Sequence, residues 1–556
     1  MCYSVLTMYV DIATSKQNGR IYSRALLREC YRENGKVKHN TIANISSCTK
    51  EEITAIKLAL KHKGDLSNIG SFKEKIKSKQ GLIVGAIILL KSLCDRLKIT
   101  QTLGNSTNGK LALWQIMARI IEHGSRLSAV RLAGSHAVCD ILNLDSFTED
   151  DLYLNLDWLC DNQQDLEQKL FKARYDVTKI PRLFLYDVTS SYIEGMENEL
   201  SNWGYNRDKK KGKKQIVIGL LTDEDGVPVS VDVFEGNTTD TLTFGEQIRK
   251  LADRFSIKEA TVVGDRGMIK SAQIEELTSE GFSYITAITK PQIETLIKNN
   301  VIQLELFNEK LCEVESDGIR YILRRNPIRV NELETIRNEK IDKLEQLIET
   351  QNEYLSQHEK ANLEVAIKKI KEKITKYKFS DFIKVESENR KLLLVIDEKK
   401  KAEKVILDGC YVIKTDLGSA DISKESAHDR YKDLAMVEQG FSTMKTGLLE
   451  TRPIYVRKEK RTRGHVFVVM LAYMVIHELK KLWKDVDVTV EEGITELSTI
   501  CSIEIDIESA TYQQIPKPRK LGASLLNLAN VKLPEAIPSR NINATTRKKL
   551  TERRKK

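Results

Sequence analysis

The chain has 556 residues, 41% of them hydrophobic, with 89 Lys and Arg against 79 Asp and Glu for a formal net charge of +10. That length exceeds one ordinary core and predicts two to four domains, and the hydrophobic share is that of a soluble globular protein, not of a disordered or membrane-embedded chain. Nine cysteines, at 2, 30, 48, 94, 139, 160, 312, 410 and 501, include no Cys-x-x-Cys pair, which argues against a zinc ribbon or a disulfide framework and predicts a reducing cytoplasm.

Met1-Cys2-Tyr3-Ser4-Val5 has no basic stretch ahead of an apolar run, so no signal peptide is expected. Residues 1–175 read as a mainly helical region, with apolar stretches at Leu82–Leu97 and Leu111–Ile121. The basic segment Arg28–Lys38 reads as a solvated surface loop, with DNA contact as the alternative. Ser146-Phe147-Thr148-Glu149 has capping-box spacing and opens a helix. The apolar runs Leu82–Leu90 and Val466–Ile476 are each about half a membrane span and read as buried core helices.

From 181 the texture changes. Strands are expected at Arg182–Thr189, Gln215–Thr222, Pro228–Phe234, Ala260–Asp265 and Ser283–Ile288, with helices at Thr241–Phe255 and Ser271–Ser279. Three strands before the first helix exclude a doubly wound sheet and match the order of a ribonuclease-H-like α/β core. Residues 176–290 form its first part and 421–482 its last. Residues 291–420 read as a mixed β/helical insertion. Its charged stretch Val330–Tyr377 carries two apolar stripes: Ile341, Leu344 and Ile348, then Leu363, Ile367, Ile370, Ile374 and Tyr377. Steps of three and four predict a helical hairpin. The C-terminal region 483–556 ends in a basic tail, expected to be partly disordered.

Asp187 and Asp265 end predicted strands, where carboxylates can converge at a sheet edge and hold a hard cation. Turns also begin with Asp, so each alone is weak. Glu438 lies on a helical stretch with Tyr431 and Lys445 seven residues to either side, so one continuous helix would put all three on one face. Two basic segments flank these acids. Arg207–Lys214 includes Lys210, Lys211, Lys213 and Lys214, and Arg452–Arg463 includes Arg452 and Arg457. Each has six basic residues against one acid, a pattern that tracks a phosphate backbone or is simply solvated. His428 and His465 read as capping or core residues.

The segment Tyr431-Lys-Asp-Leu-Ala-Met-Val-Glu438-Gln-Gly-Phe-Ser-Thr-Met-Lys445 resembles the Tyr-x2-(Arg)-x3-Glu-x6-Lys signature of DDE transposases of bacterial insertion sequences, of the IS-four type, in its long-insertion branch. The resemblance extends to Tyr186-Asp187-Val188-Thr189, to Phe234-Glu235-Gly236-Asn237-Thr238-x-Asp240 and to Gly264-Asp265-Arg266-Gly267-Met268, and covers about 180–480. Leu434 stands where many members carry Arg, which puts one phosphate contact in doubt. The resemblance implies that Asp187, Asp265 and Glu438 hold two Mg²⁺ or Mn²⁺ ions for cleavage of element ends and their transfer into target DNA. Tyr431, Lys445 and Arg266 would then face DNA, and Asn237 and Asp240 would support the site or the fold. It also implies double-stranded DNA as partner, at terminal inverted repeats and target. Two protomers would act in a synaptic complex, with residues 1–175 on the ends. The setting would be the bacterial cytoplasm, at the nucleoid when bound, and no membrane is involved. A metal-dependent nuclease of the same fold and an inactive transposase-derived DNA-binding protein stay open as alternatives.

Overall fold

The structure is a computed structural model that describes residues 7–17, 20–33, 36–64, 76–175, 180–308, 310–507, 510–546 and 548. The chain divides into two compact units. One is Met1–Val84 with Ile500–Pro518 and Leu533–Pro538; the other is Gly85–Thr499 with Arg519–Lys532 and Ser539–Lys556.

The first unit corrects the helical expectation for the N-terminus. It opens with an antiparallel sheet of β1 (Thr7–Gln17), β2 (Arg20–Glu33) and β3 (Lys36–Asn44), with β2 in the centre. Arg24-Ala-Leu-Leu-Arg28 contains good helix formers, but pairing on both sides of β2 overrides that local preference. The described residues of the Arg28–Lys38 segment are therefore strand, not loop. Helix α1 (Lys50–Lys61) follows, with a Thr49–Glu52 capping box. A further strand, β4 (Ile76–Ile83), pairs with Cys501–Ile507.

In the second unit the helical expectation holds. The longer helices up to residue 174 are α2 (Gly85–Arg96), α3 (Thr107–Ile121), α4 (Arg126–Ser135) and α5 (Glu149–Arg174). The cap of α5 is Thr148 paired with Asp151, two residues after the expected Ser146. Thr545 and Lys548 of the C-terminal region lie against this end. Thr545 N–H donates to Phe147 O at 3.1 Å, and Lys548 pairs with Glu149 at 2.7 Å. Most of the terminal basic run lies outside the described residues.

The five expected core strands are β5 (Leu183–Tyr192), β6 (Gln215–Asp223), β7 (Pro228–Glu235), β8 (Thr261–Gly264) and β9 (Ser283–Ala287). They lie in the order β9-β8-β5-β6-β7, with β5, β8 and β9 parallel and β6 and β7 antiparallel to their neighbours. Alternation sorts β5 into two faces. Phe184, Tyr186 and Val188 enter a core with Phe244 and Ile248 of α6 (Asp240–Arg249) and Leu277 of α7 (Ser271–Ser279). Asp187 and Thr189 therefore face the other way. Gly219 on β6 leaves room for the Tyr186 ring, since a Cβ there would stand 2.3 Å from the Tyr186 hydroxyl.

The segment 291–420, expected as one insertion, splits in two. Its strands β10 (Cys312–Ser316) and β11 (Ile319–Arg325), with a later one, join the core sheet and extend it to eight strands. Between them a helical hairpin, α8 (Pro327–Gln357) and α9 (Leu363–Tyr377), has its own core. Ile341, Leu344 and Ile348 meet Ile370 and Ile374 there, together with the ribbon β12 (Ile383–Glu388) and β13 (Lys391–Ile396). The returning strand β14 (Cys410–Thr415) pairs with β11 on one side and β9 on the other.

After β14 come the helices α10 (Lys424–Lys432), α11 (Leu434–Lys445) and α12 (Glu459–Leu482). Val466–Ile476 of α12 is buried throughout, as expected of a core helix. Among the described residues no helix is long and apolar enough to cross a membrane.

Candidate active site

β5 and β8 run parallel with Tyr186 opposite Gly264. The next position along each carries Asp187 and Asp265. Neighbouring strands are roughly 4.8 Å apart, so register alone sets these two carboxylates side by side on the face away from α6 and α7. Helix α11 packs on β5 from that face. It buries Val437, Gly440, Phe441 and Met444, and leaves Glu438 exposed. Gly440 lies against the Tyr473 ring of α12, where a Cβ would come within 3.1 Å.

The acids feel one another. Burial pushes the Asp187 carboxyl up to about 7, and the charges of Asp265 and Glu438 add to the effect. Asp265 is exposed and its Oδ1 accepts from the Arg266 N–H at 2.8 Å and from the Tyr431 hydroxyl at 3.2 Å. Burial, then Asp265, raises Tyr431 above the usual phenol range, so Tyr431 stays a protonated donor.

An all-oxygen donor set with mutually repelling charges suits a hard divalent cation. Among the described residues, no three His, Cys, Asp or Glu side chains already stand as a ligand cage. The acids thus share a charge field and a face without being drawn into metal-binding contact. The residues fit such an ion in the chemistry of their donors.

The expected continuous helix is interrupted. Asp433 ends α10 and begins α11, so Tyr431 and Glu438 belong to different helices. Tyr431 still reaches the site through Asp265. Lys445 does not project from the same open stripe as Glu438. It is buried, donating to Thr189 Oγ1 at 2.8 Å and standing 2.7 Å from Asp208 Oδ1. Burial lowers its ammonium pKa, with Asp208 opposing. Leu434 is buried as well, so the position at which an arginine was expected faces the core.

The basic segments are more neutral in space than in sequence. Lys213 pairs with Glu194 at 2.7 Å, Arg457 with Glu197 at 2.6 Å, and Arg452 with Asp208. Lys210 lies over the Tyr192 ring at 5.8 Å and Lys214 is half-buried, while Lys211 and Arg266 are exposed. Reading charge along the chain misses acids that other elements supply.

Asp208 escaped sequence reasoning because it is the lone acid in a basic run. Its carboxylate is 1% exposed and takes Lys445, Arg452 and the Tyr192 N–H. Its neighbour Arg207 donates from one nitrogen, Nη2, to both Asp240 carboxylate oxygens at 2.6 and 2.8 Å, which gives Asp240 a supporting role. A cavity of about 390 Å³ opens here, lined by Tyr205, Arg207, Asn237, Asp240 and Gly267. His428 accepts or donates within Tyr411, Arg324 and Asp429, and His465 meets Arg126, so both histidines serve the fold.

Residues 178–475 match the family model described as the transposase DDE domain, and residues 10–75 match that of the IS1634 family transposase N-terminal domain. The first match contains Asp187, Asp265 and Glu438. No curated protein matches this sequence. Among solved structures, the cryo-EM structure of a piggyBac transposase synaptic complex with hairpin DNA aligns at 10% identity and a TM-score of 0.34, over 80% of this chain and 76% of that one.

Proposed function

This chain belongs to the transposase DDE-domain family, and on that premise we propose that Asp187, Asp265 and Glu438 are the catalytic acids with which it frees the ends of its insertion sequence. It is a transposase of a bacterial insertion sequence, an enzyme of DNA cleavage and strand transfer. The observation that carries the assignment of the acids is the Tyr186–Gly264 register, which supports Asp187, on β5, and Asp265, just past the end of β8, as neighbours. The order β9-β8-β5-β6-β7 supports reading the core as ribonuclease-H-like.

Bound between the three carboxylates, two Mg²⁺ or Mn²⁺ ions would supply Lewis acidity for the attacking and leaving oxygens. The protein contributes placement. The β5–β8 pairing supports Asp187 and Asp265 as neighbours, and the charge of Glu438 on α11 acting on Asp187 supports its joining them. Tyr431 donates to Asp265 and holds that carboxylate in one orientation. Water attacks phosphorus first, and a DNA 3′-hydroxyl attacks in the joining step. In each, a new O–P bond forms as the opposite O–P bond breaks. No covalent protein–DNA intermediate is required, so Tyr431 positions and does not attack. Arg266, exposed beside Asp265, is placed for a backbone phosphate.

In this reading the N-terminal region holds the inverted repeats, and two protomers bring two ends together in the cytoplasm. Incubating end-labelled inverted-repeat duplex with Mg²⁺ and a target plasmid tests it. Nicked ends and joined product are expected. Cleavage without joining would indicate a nuclease instead, and binding without cleavage an inactive derivative.

A further inference from the structure

We propose that one face of the β1–β2–β3 sheet is a docking surface for duplex DNA, built on an arginine row along β2. This deepens the reading that the N-terminal region handles the element's ends, and rests on it.

The row follows from register. Arg24, Arg28 and Arg32 repeat every four residues, an even step, so a strand sends all three to the same face. Pairing places Tyr9 opposite Arg28 from β1, and His39 opposite Cys30 from β3, on that face too. The Tyr9 hydroxyl and His39 Nδ1 are 2.8 Å apart across the sheet, confirming that the two edge strands share it. Lys16, Lys36 and Lys38 fall on the opposite face with Glu29 and Glu33, where Lys38 and Glu33 pair. The sheet thus sorts its charges. Arginines gather on one side with Asp11 as the sole acid, and lysines mix with glutamates on the other.

Asp11 engages Arg28 at 2.7 Å. Arg24 and Arg32 are exposed, and neither side chain has a hydrogen bond or ion pair among the described residues. Tyr22, also on this face, is 55% exposed. A sheet face carrying arginines with interleaved aromatics has the charge and the flat shape to lie along a groove, as β-ribbon readers do. Arg24 and Arg32 are eight residues apart, roughly 27 Å, most of the roughly 34 Å of one duplex turn. The central strand carries the row, so both neighbours brace it.

The test uses the full chain, with duplexes of arbitrary sequence and duplexes carrying the inverted repeats beside the gene. Binding is followed against salt concentration. Arg24→Gln with Arg32→Gln should make the log–log salt slope shallower by about 2 and weaken binding, at unchanged circular dichroism. Lys36→Gln with Lys38→Gln should leave the slope as it was. An unchanged slope for the arginine pair, or an equal change for the lysine pair, overturns the assignment of this face. Asp187→Asn serves as the separate arm. If it still cleaves while the arginine pair loses binding, the acid site has been misassigned and the surface stands. If it loses cleavage while the arginine pair binds normally, the reverse holds.

Discussion

The ammonium of Lys445 stands 2.7 Å from Asp208 Oδ1, with the lysine side chain 10% exposed and the aspartate 1%. The lysine of the Tyr–Glu–Lys segment is therefore a tie between the helix carrying Glu438 and the strand carrying Asp187, completed by its bond to Thr189. Removing one partner of a buried pair leaves the other charge uncompensated, at a cost of about 3–5 kcal/mol. Asp208→Asn should lower stability by about that amount in urea unfolding. Adding Lys445→Met should recover part of it, and only part, because Arg452 also leans on Asp208. Strict additivity of the two changes would disprove the coupling. Lys445→Ala should leave the salt slope of DNA binding nearly unchanged; a fall of about 0.9 would instead restore a phosphate contact.

Asp187→Asn and Glu438→Gln should each reduce cleavage of inverted-repeat DNA by about 10³-fold or more, several kcal/mol of transition-state stabilisation. Binding of the same duplex should persist. Chelation of divalent cations should have the same effect on wild-type protein and be reversed by Mg²⁺ or Mn²⁺. A variant that retained cleavage would remove its residue from the metal site.

Tyr431→Phe deletes one hydroxyl bond to an exposed carboxylate. That bond is worth about 1–1.5 kcal/mol, so the cleavage rate should fall about tenfold with the metal requirement intact. Complete loss would point to a tyrosine nucleophile, and a trapped protein–DNA adduct would establish one.

Arg126 donates to His465 Nδ1 at 2.7 Å, which requires an unprotonated nitrogen. Burial, then Arg119 and Arg126, hold His465 well below its usual value. The unfolded chain takes up that proton near pH 6.5 while the folded chain does not, so stability is full above about 6.5 and declines as pH falls. Replacing His465 by Gln should flatten the stability profile between about pH 7 and 5. A profile that kept its wild-type slope would place the acid sensitivity elsewhere.

The five core strands were legible because apolar runs bounded by turn residues announce strands; Asp265 follows the end of β8 as expected, but β5 continues past Asp187 to Tyr192, so that acid lies mid-strand. Glu438 was singled out through Tyr431 and Lys445. The rest depended on long-range pairing. Nothing near Cys410–Thr415 reveals that it will lie beside Ser283–Ala287, so the sheet's growth to eight strands was hidden. Asp208 was masked by six basic neighbours, and its role appears only when β5 and α11 close around it. At the N-terminus the four-residue arginine step resembles a helical repeat. Pairing of β2 on both edges decides for a strand.

At the root of the helical hairpin, the Asn326 N–H donates to Gly409 O at 2.8 Å, and the β11–β14 ladder begins immediately below with Arg325 opposite Cys410. The chain leaves and re-enters the sheet through a single closed neck. Everything between is topologically a side branch, whose length enters the closure entropy only logarithmically. Such a branch can be lengthened, shortened or exchanged over generations without altering where β14 hands the chain on to Tyr431 and Glu438. The fold thereby separates a part free to diversify from a part that must stay fixed.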